Sequence, residues 1–261
     1  MPNAPERFCE WTSTYLANDK KFGRKIFRYH PRSDQHSKII CALIFQDLME
    51  ACPTLRRHIQ EGVVVCGINS SCSFSNGKTK TLDLAIGVPL HPDLKMPQPA
   101  LMSDQPIKDV RISCEAKQVM TEHQKSKPRL FDELSSSHEI VHQGVPKAIA
   151  TGIVVVNIAD NYASPTRQVG PDGPPVITKH RQPEVTKLMI DHLRGLKIRE
   201  SDDGVGFDSF AQVVLDCDNI GACRLHTEPP APQPGDRDHY DSFIQRISKA
   251  YEERFGAATS Q

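Results

Sequence analysis

Thr81-Leu82-Asp83-Leu84-Ala85-Ile86-Gly87 and Val110-Arg111-Ile112-Ser113-Cys114-Glu115-Ala116-Lys117 are two apolar runs that carry charge inside them. On a strand, side chains alternate between faces. Ser113, Glu115 and Lys117 then share a polar face, while Ile112, Cys114 and Ala116 share an apolar one. Asp83 is flanked by Leu82 and Leu84, and its same-face neighbours Thr81 and Ala85 are small. If the two strands pair, Asp83 joins Glu115 and Lys117 at one point. Upstream, Val63 to Ile68 reads as another strand, and Asn76-Gly77 marks a turn. Before that, a helix is predicted from Asp34 to Cys52. Ser33 or Asp34 can cap it, Ile40, Leu43, Ile44, Leu48 and Ala51 form its stripe, and Pro53 stops it. Residues 89–108 are Pro-rich and read as a long excursion between the second and third strands. Downstream, Ser126 and Pro128 mark the start of a helix that runs to Gly144. Ala150 to Ala159 follows as a strand. Its unbroken run Ile153-Val154-Val155-Val156 suggests burial on both faces. Helix, three strands, helix, strand is the order of an α/β domain with a mixed central sheet flanked by helices.

Around this core, residues 34–160, lie three flanking regions. Residues 1–33 form a basic N-terminal segment with Lys20, Lys21, Arg24, Lys25, Arg28 and Arg32 among Trp11, Tyr15, Phe22, Phe27 and Tyr29. Its aromatics must pack somewhere, and basic residues among aromatics also suit contact with a nucleic-acid backbone. Residues 161–182 read as a loop or linker, and residues 183–261 as a C-terminal α/β extension packing on the core. Lys plus Arg equals Asp plus Glu at 32 each, so any polyanion must be met by a local basic face. No apolar run approaches a signal peptide or a membrane span, and the expectation is a soluble cytoplasmic chain. The cysteines sit in apolar segments or lack zinc-knuckle spacing, so free thiols are expected. A zinc site across Cys66/Cys72 and Cys217/Cys223 is the weaker alternative.

Two carboxylates and a lysine around one point suit a hard divalent cation and an activated water. The carbonyl of Ala116 can add a metal ligand. Asp47 falls on the apolar stripe of its helix. It is either a boundary position reaching water or a third acid facing the site. Asp216 and Asp218 share a strand face and read as exposed carboxylates at a strand end. Ser135-Ser136-Ser137-His138 lacks nucleophile-elbow glycines and reads as a polar helix face.

The arrangement over residues 34–159 resembles the PD-(D/E)XK nuclease superfamily, the restriction-endonuclease-like fold. The resemblance rests on Asp83, on Glu115-Ala116-Lys117 and on the order of elements around them. Leu82 stands where the family's name has Pro, and the acids lie 32 positions apart. It implies metal ligation by Asp83 and Glu115, with Lys117 orienting water or stabilising charge. Gln118 would orient the lysine or the substrate. Mg²⁺ is the implied cofactor, with Mn²⁺ as a substitute. The implied activity is endonucleolytic hydrolysis of DNA, in prokaryotic restriction or anti-phage defence, by a homodimer or higher oligomer. His123, Lys125, Lys127 and Arg129 lead into a helix N-terminus and are the expected backbone clamp. Lys179, His180, Arg181, Lys187, Arg194 and Lys197 add a second basic region, for DNA contact or an oligomer face. The alternatives are a catalytically silent nuclease-like binding module and a ligand-activated or RNA-directed nuclease.

Overall fold

A computed structural model describes residues 2–19, 24–74, 77, 79–90, 107–170, 173–201 and 204–256. The middle of the Pro-rich excursion, with Lys20, Lys21, Phe22 and Asn76, lies outside them. The helices are α1 (Ala4–Thr14), α2 (Gln35–Ala51), α3 (Pro53–Gln60), α4 (His123–Gly144), α5 (Glu184–Leu193) and α6 (Tyr240–Phe255). The strands are β1 (Ala17–Asp19), β2 (Arg24–Phe27), β3 (Val65–Ser73), β4 (Thr79–Pro89), β5 (Ile107–Val119), β6 (Ile149–Asn157), β7 (Asn161–Gln168), β8 (Pro175–Lys179), β9 (Ser209–Asp216) and β10 (Arg224–His226).

Six strands form one mixed sheet. β4 pairs antiparallel with both β3 and β5. β5 runs parallel to β6, β6 parallel to β9, and β9 antiparallel to β10. A single parallel bridge, Cys72 to Ile107, also ties β3 to β5. The parallel pair β5–β6 requires a crossover, and α4 supplies it. β6 is buried at every position, as its unbroken apolar run predicts. Ile153 and Val155 pack with α1, α2 and α6, and Val154 and Val156 pack with α4 and α5. Helices therefore cover both faces of the sheet.

The structure revises several sequence expectations. The N-terminal segment packs, as its aromatics lead one to expect, and it joins the core: Phe8 is buried, and Trp11 packs against the same cluster. Trp11, Tyr15 and Tyr29 surround the ring of His36 on α2 at centroid distances of 5.1, 5.3 and 4.9 Å. Arg28 is spent on the carbonyls of Tyr15, Ile220 and Gly221. Pro53 ends α2 but also starts α3, because the fixed φ of proline suits a first helical position. Helix α4 begins at His123, three residues before the expected start, and Pro128 is accommodated inside it. Residues 161–182 are no linker. They contain the antiparallel pair β7–β8. Cys217 and Cys223 form a disulfide, contrary to the expectation of free thiols. Cys66 and Cys72 remain free and lie in different clusters, so the four cysteines do not meet at a zinc site.

Two buried polar residues join the layers. Asn157, fully buried at the end of β6, bonds Met120, Ala159 and Cys217 through its side chain. Its carbonyl accepts from His123, Gln182 and Thr186. At the opposite end of β6, Asp208 accepts from the Ala150 N–H, Arg199, Arg254 and His142.

Candidate active site

β4 and β5 bring the expected residues together. Leu84 pairs with Cys114, which sets Asp83 beside the Glu115-Ala116-Lys117 triplet. Asp83 Oδ2 accepts the Ala116 N–H at 2.8 Å. Lys117 Nζ stands 2.6 Å from Glu115 Oε1. As alternation predicts, Ile112, Cys114 and Ala116 sit in the core shared with α1, α2 and α6. Glu115 faces the other layer, where Ser137 of α4 donates to its Oε2 at 3.0 Å. Gly144 lets the end of α4 approach the sheet, because a Cβ there would meet the Phe74 ring.

The site also holds Lys80, which the sequence reading missed. Its Nζ donates to Ser137 Oγ at 2.7 Å and lies 3.5 Å from Glu115 Oε2. Simple alternation separates Lys80 from Asp83, since three positions change the face. The strand departs from that rule at Asp83. Leu82 and Leu84, two apart, pack in different core clusters. Opposite them on β3, Ile68 pairs with Leu84 and Ser70 with Leu82, while Asn69 pairs with nothing and has φ of 50°. Asparagine tolerates that left-handed conformation better than most residues. Its side chain donates to Asp34, beside the first turn of α2, at 3.3 Å.

The two carboxylates titrate apart. Burial, reinforced by the charge of Glu115, raises the pKa of Asp83 against the pull of the Ala116 N–H and the two lysines. Burial also opposes ionisation of Glu115, but Lys117, Lys80 and the Ser137 hydroxyl outweigh it and lower its pKa. Lys117 is held protonated: burial works against its charge, and Glu115 and Asp83 overcome it. Two acids driven apart within one site is a hallmark of catalytic carboxylates, although ion-pair networks do the same. The donor set is hard oxygen, which suits Mg²⁺ or Mn²⁺. Among the described residues, Oδ2 is the Asp83 oxygen tied to the backbone. Among the described residues, no three His, Cys, Asp or Glu side chains already stand close enough to hold a metal. Ala116 offers Asp83 its N–H, and its backbone is registered with Ile153 in the β5–β6 ladder.

Other expected residues lie elsewhere. Asp47 is not at the site. Both its oxygens are taken, by the Ala4 N–H, Arg7 and the Tyr240 hydroxyl, so it fastens α1 and α6 to α2. Gln118 alternates away from Lys117, and its Nε2 is buried without a hydrogen bond. His123 is buried and donates to the Asn157 carbonyl at 2.7 Å, so it supports the fold and does not clamp a backbone. Lys125 pairs with Glu122, and Arg129 with Glu133, both at the surface of α4. Lys127 is half-buried on the same turn. Lys125 and Lys179, His180 and Arg181 line a cavity of about 320 Å³, which unites the two basic segments of the sequence. Arg194 is committed to Asp238 and Asp236, and Lys187 to Asp191. Asp218 caps its own turn by accepting from Ile220 and Gly221, and Asp216 lies exposed on β9.

In comparisons with known proteins, no family model, curated protein or solved structure matches the chain. No described helix is long and apolar enough to cross a membrane.

Proposed function

We propose that the chain is a metal-dependent phosphodiester hydrolase of the PD-(D/E)XK type, acting on DNA. The observation that carries this reading is the convergence of Asp83, Glu115 and Lys117 from two paired strands, with Lys80 and Ser137 behind Glu115. The order α2, α3, β3, β4, β5, α4, β6, with the acids on β4 and β5, supports the restriction-endonuclease-like fold as the frame. Asp83 and Glu115 would hold Mg²⁺ or Mn²⁺. When bound, the cation supplies an activated water and neutralises charge on the phosphate.

The remaining work falls to the chain itself. Lys117 places a protonated ammonium beside both acids, where it can position the attacking water and stabilise the developing negative charge. Lys80 and Ser137 fix the Glu115 carboxylate from behind, as an outer shell does for a ligating group. The basic cavity by Lys125, Lys179 and Arg181 offers a place for the substrate's backbone phosphates. A restriction or defence role, and a homodimer that presents two such sites, extend the same reading.

Supercoiled plasmid tests it. The expected result is nicking with Mg²⁺ or Mn²⁺, none in EDTA, and loss of at least about 10²-fold in Lys117→Ala. Cleavage that survives both Asp83→Ala and Lys117→Ala would sink the assignment. Parallel RNA substrates separate the RNA-directed alternative, and binding without cleavage would mark a silent module.

A further inference from the structure

Helix α4 carries a second chemical feature one residue beyond Ser137. His138-Glu139-Ile140-Val141-His142 places two imidazoles four positions apart on one helix, with a glutamate directly after the first. Residues four apart lie one above the other on a helix. His138, Glu139 and His142 all line the same cavity, of about 400 Å³, whose lining does not include Glu115. His138 is only 2 % exposed, packs edge-on against Phe207, and its Nδ1 is buried with no hydrogen-bond partner. A buried polar atom without a partner is rare enough to require an explanation. His142 has the complementary arrangement. Its Nε2 lies 3.3 Å from Asp208, a carboxylate anchored in turn by Arg199, Arg254 and the Ala150 N–H. Donating Nε2–H to that carboxylate leaves the lone pair on Nδ1. A histidine oriented from behind by a carboxylate is the usual setting of a metal-binding imidazole.

We infer that His138 and His142 form a second cation site, for a Zn²⁺-class ion, distinct from the hard-oxygen site at Asp83 and Glu115. The ring centroids are 6.2 Å apart. A cation bonded at about 2.0–2.1 Å to one nitrogen of each ring lies roughly 3 Å from each ring centre, so a tetrahedral ion draws the two rings together by about 1 Å. Nitrogen donors select zinc, nickel or copper over magnesium, the reverse of the carboxylate pair. The positions that two imidazoles leave open go to water. Glu139 borders the same cavity and can accept a proton from such a water, the use to which this helical spacing lends itself. The nearby charges of Lys197 and Arg199 oppose a cation, and Asp208 favours it.

The test is a Zn²⁺ titration of the full chain in excess Mg²⁺, followed by calorimetry and by histidine-ring ¹⁵N spectra. The expected result is one tight equivalent that shifts the ring nitrogens of two histidines. His138→Asn and His142→Asn should each weaken binding at least about tenfold, and Asp83→Asn should leave it unchanged. The ring spectra of the unsubstituted chain carry the test even if a variant does not fold. Absence of a shifted histidine pair, undiminished binding in both histidine variants, or loss of binding in Asp83→Asn would overturn the inference.

Discussion

Asp83 is held in its native place against its own electrostatics. It is buried beside an ionised Glu115, and its pKa is raised as a result. A carboxylate with a raised folded pKa contributes least to stability above that pKa, where the folded state must carry the charge. Asp83→Asn keeps an acceptor for the Ala116 N–H and removes the repulsion. The expected outcome is a higher melting temperature in EDTA, each 1 kcal/mol appearing as roughly 2–4 °C in a chain of this size, together with loss of cleavage. Thermal melts and nicking assays on one preparation check both. An unchanged or lower melting temperature would mean that the carboxylate is structural. Lys80→Met should lower cleavage by about 10- to 100-fold, as removal of a ligand's outer support does, with substrate binding largely retained. At this scale, alternation alone made Asp83, Glu115 and Lys117 legible. Lys80 was hidden because the strand changes its facing at Asp83, opposite the left-handed Asn69, and no sequence periodicity reports that. Asp47 was misleading in the opposite sense. A carboxylate on an apolar stripe needs a partner, and its partners come from α1 and α6, far away in sequence.

Helix α4 and strand β6 organise the site as elements. β6 was readable from its apolar run, because a strand buried on both faces has no polar alternation. The start of α4 was not, since Thr121 to Arg129 is polar and Pro128 imitates a first helical position. What holds the helix start is tertiary: His123 reaches the Asn157 carbonyl. The β7–β8 pair was not legible because the segment is rich in Pro, Gly and Asp, a composition that reads as a loop or linker. Asn157 is the residue that ties these elements, at zero exposure. Asn157→Ala leaves the Met120 and Cys217 carbonyls and the Cys217 N–H without their bonds. Each orphaned buried group costs about 1–3 kcal/mol, so a total loss of at least about 3 kcal/mol is expected. Urea unfolding measures it. A cost under about 1 kcal/mol would show that neighbouring groups satisfy one another.

The whole molecule is fastened at the other end of β6 by Asp208. Burial opposes its charge, but His142, Arg199 and Arg254 outweigh burial and bring its pKa down to about 2, from an ordinary value of 3.8. With the folded pKa depressed, the stabilisation is complete above the unfolded value and is lost as pH falls from about 5 through about 2. It amounts to about 2 kcal/mol. Chemical denaturation across that range should show the loss, and Asp208→Asn should abolish this part of the pH dependence while costing about 3–5 kcal/mol at neutral pH. A pH slope that persists in the variant would assign it to other carboxylates. The sequence made the helix–strand order of the core legible, but not that β9 and β10 continue the same sheet, because pairing partners remote in sequence leave no local signature. All of this structure converges on the gap between Asp83 and Glu115, and a crystal soaked in Mn²⁺ examines that gap most directly. The account requires an anomalous peak within bonding distance, about 2.1–2.3 Å, of both carboxylates, and its absence in Asp83→Asn. Crystals with Mn²⁺ bound elsewhere and none between these two acids would contradict it.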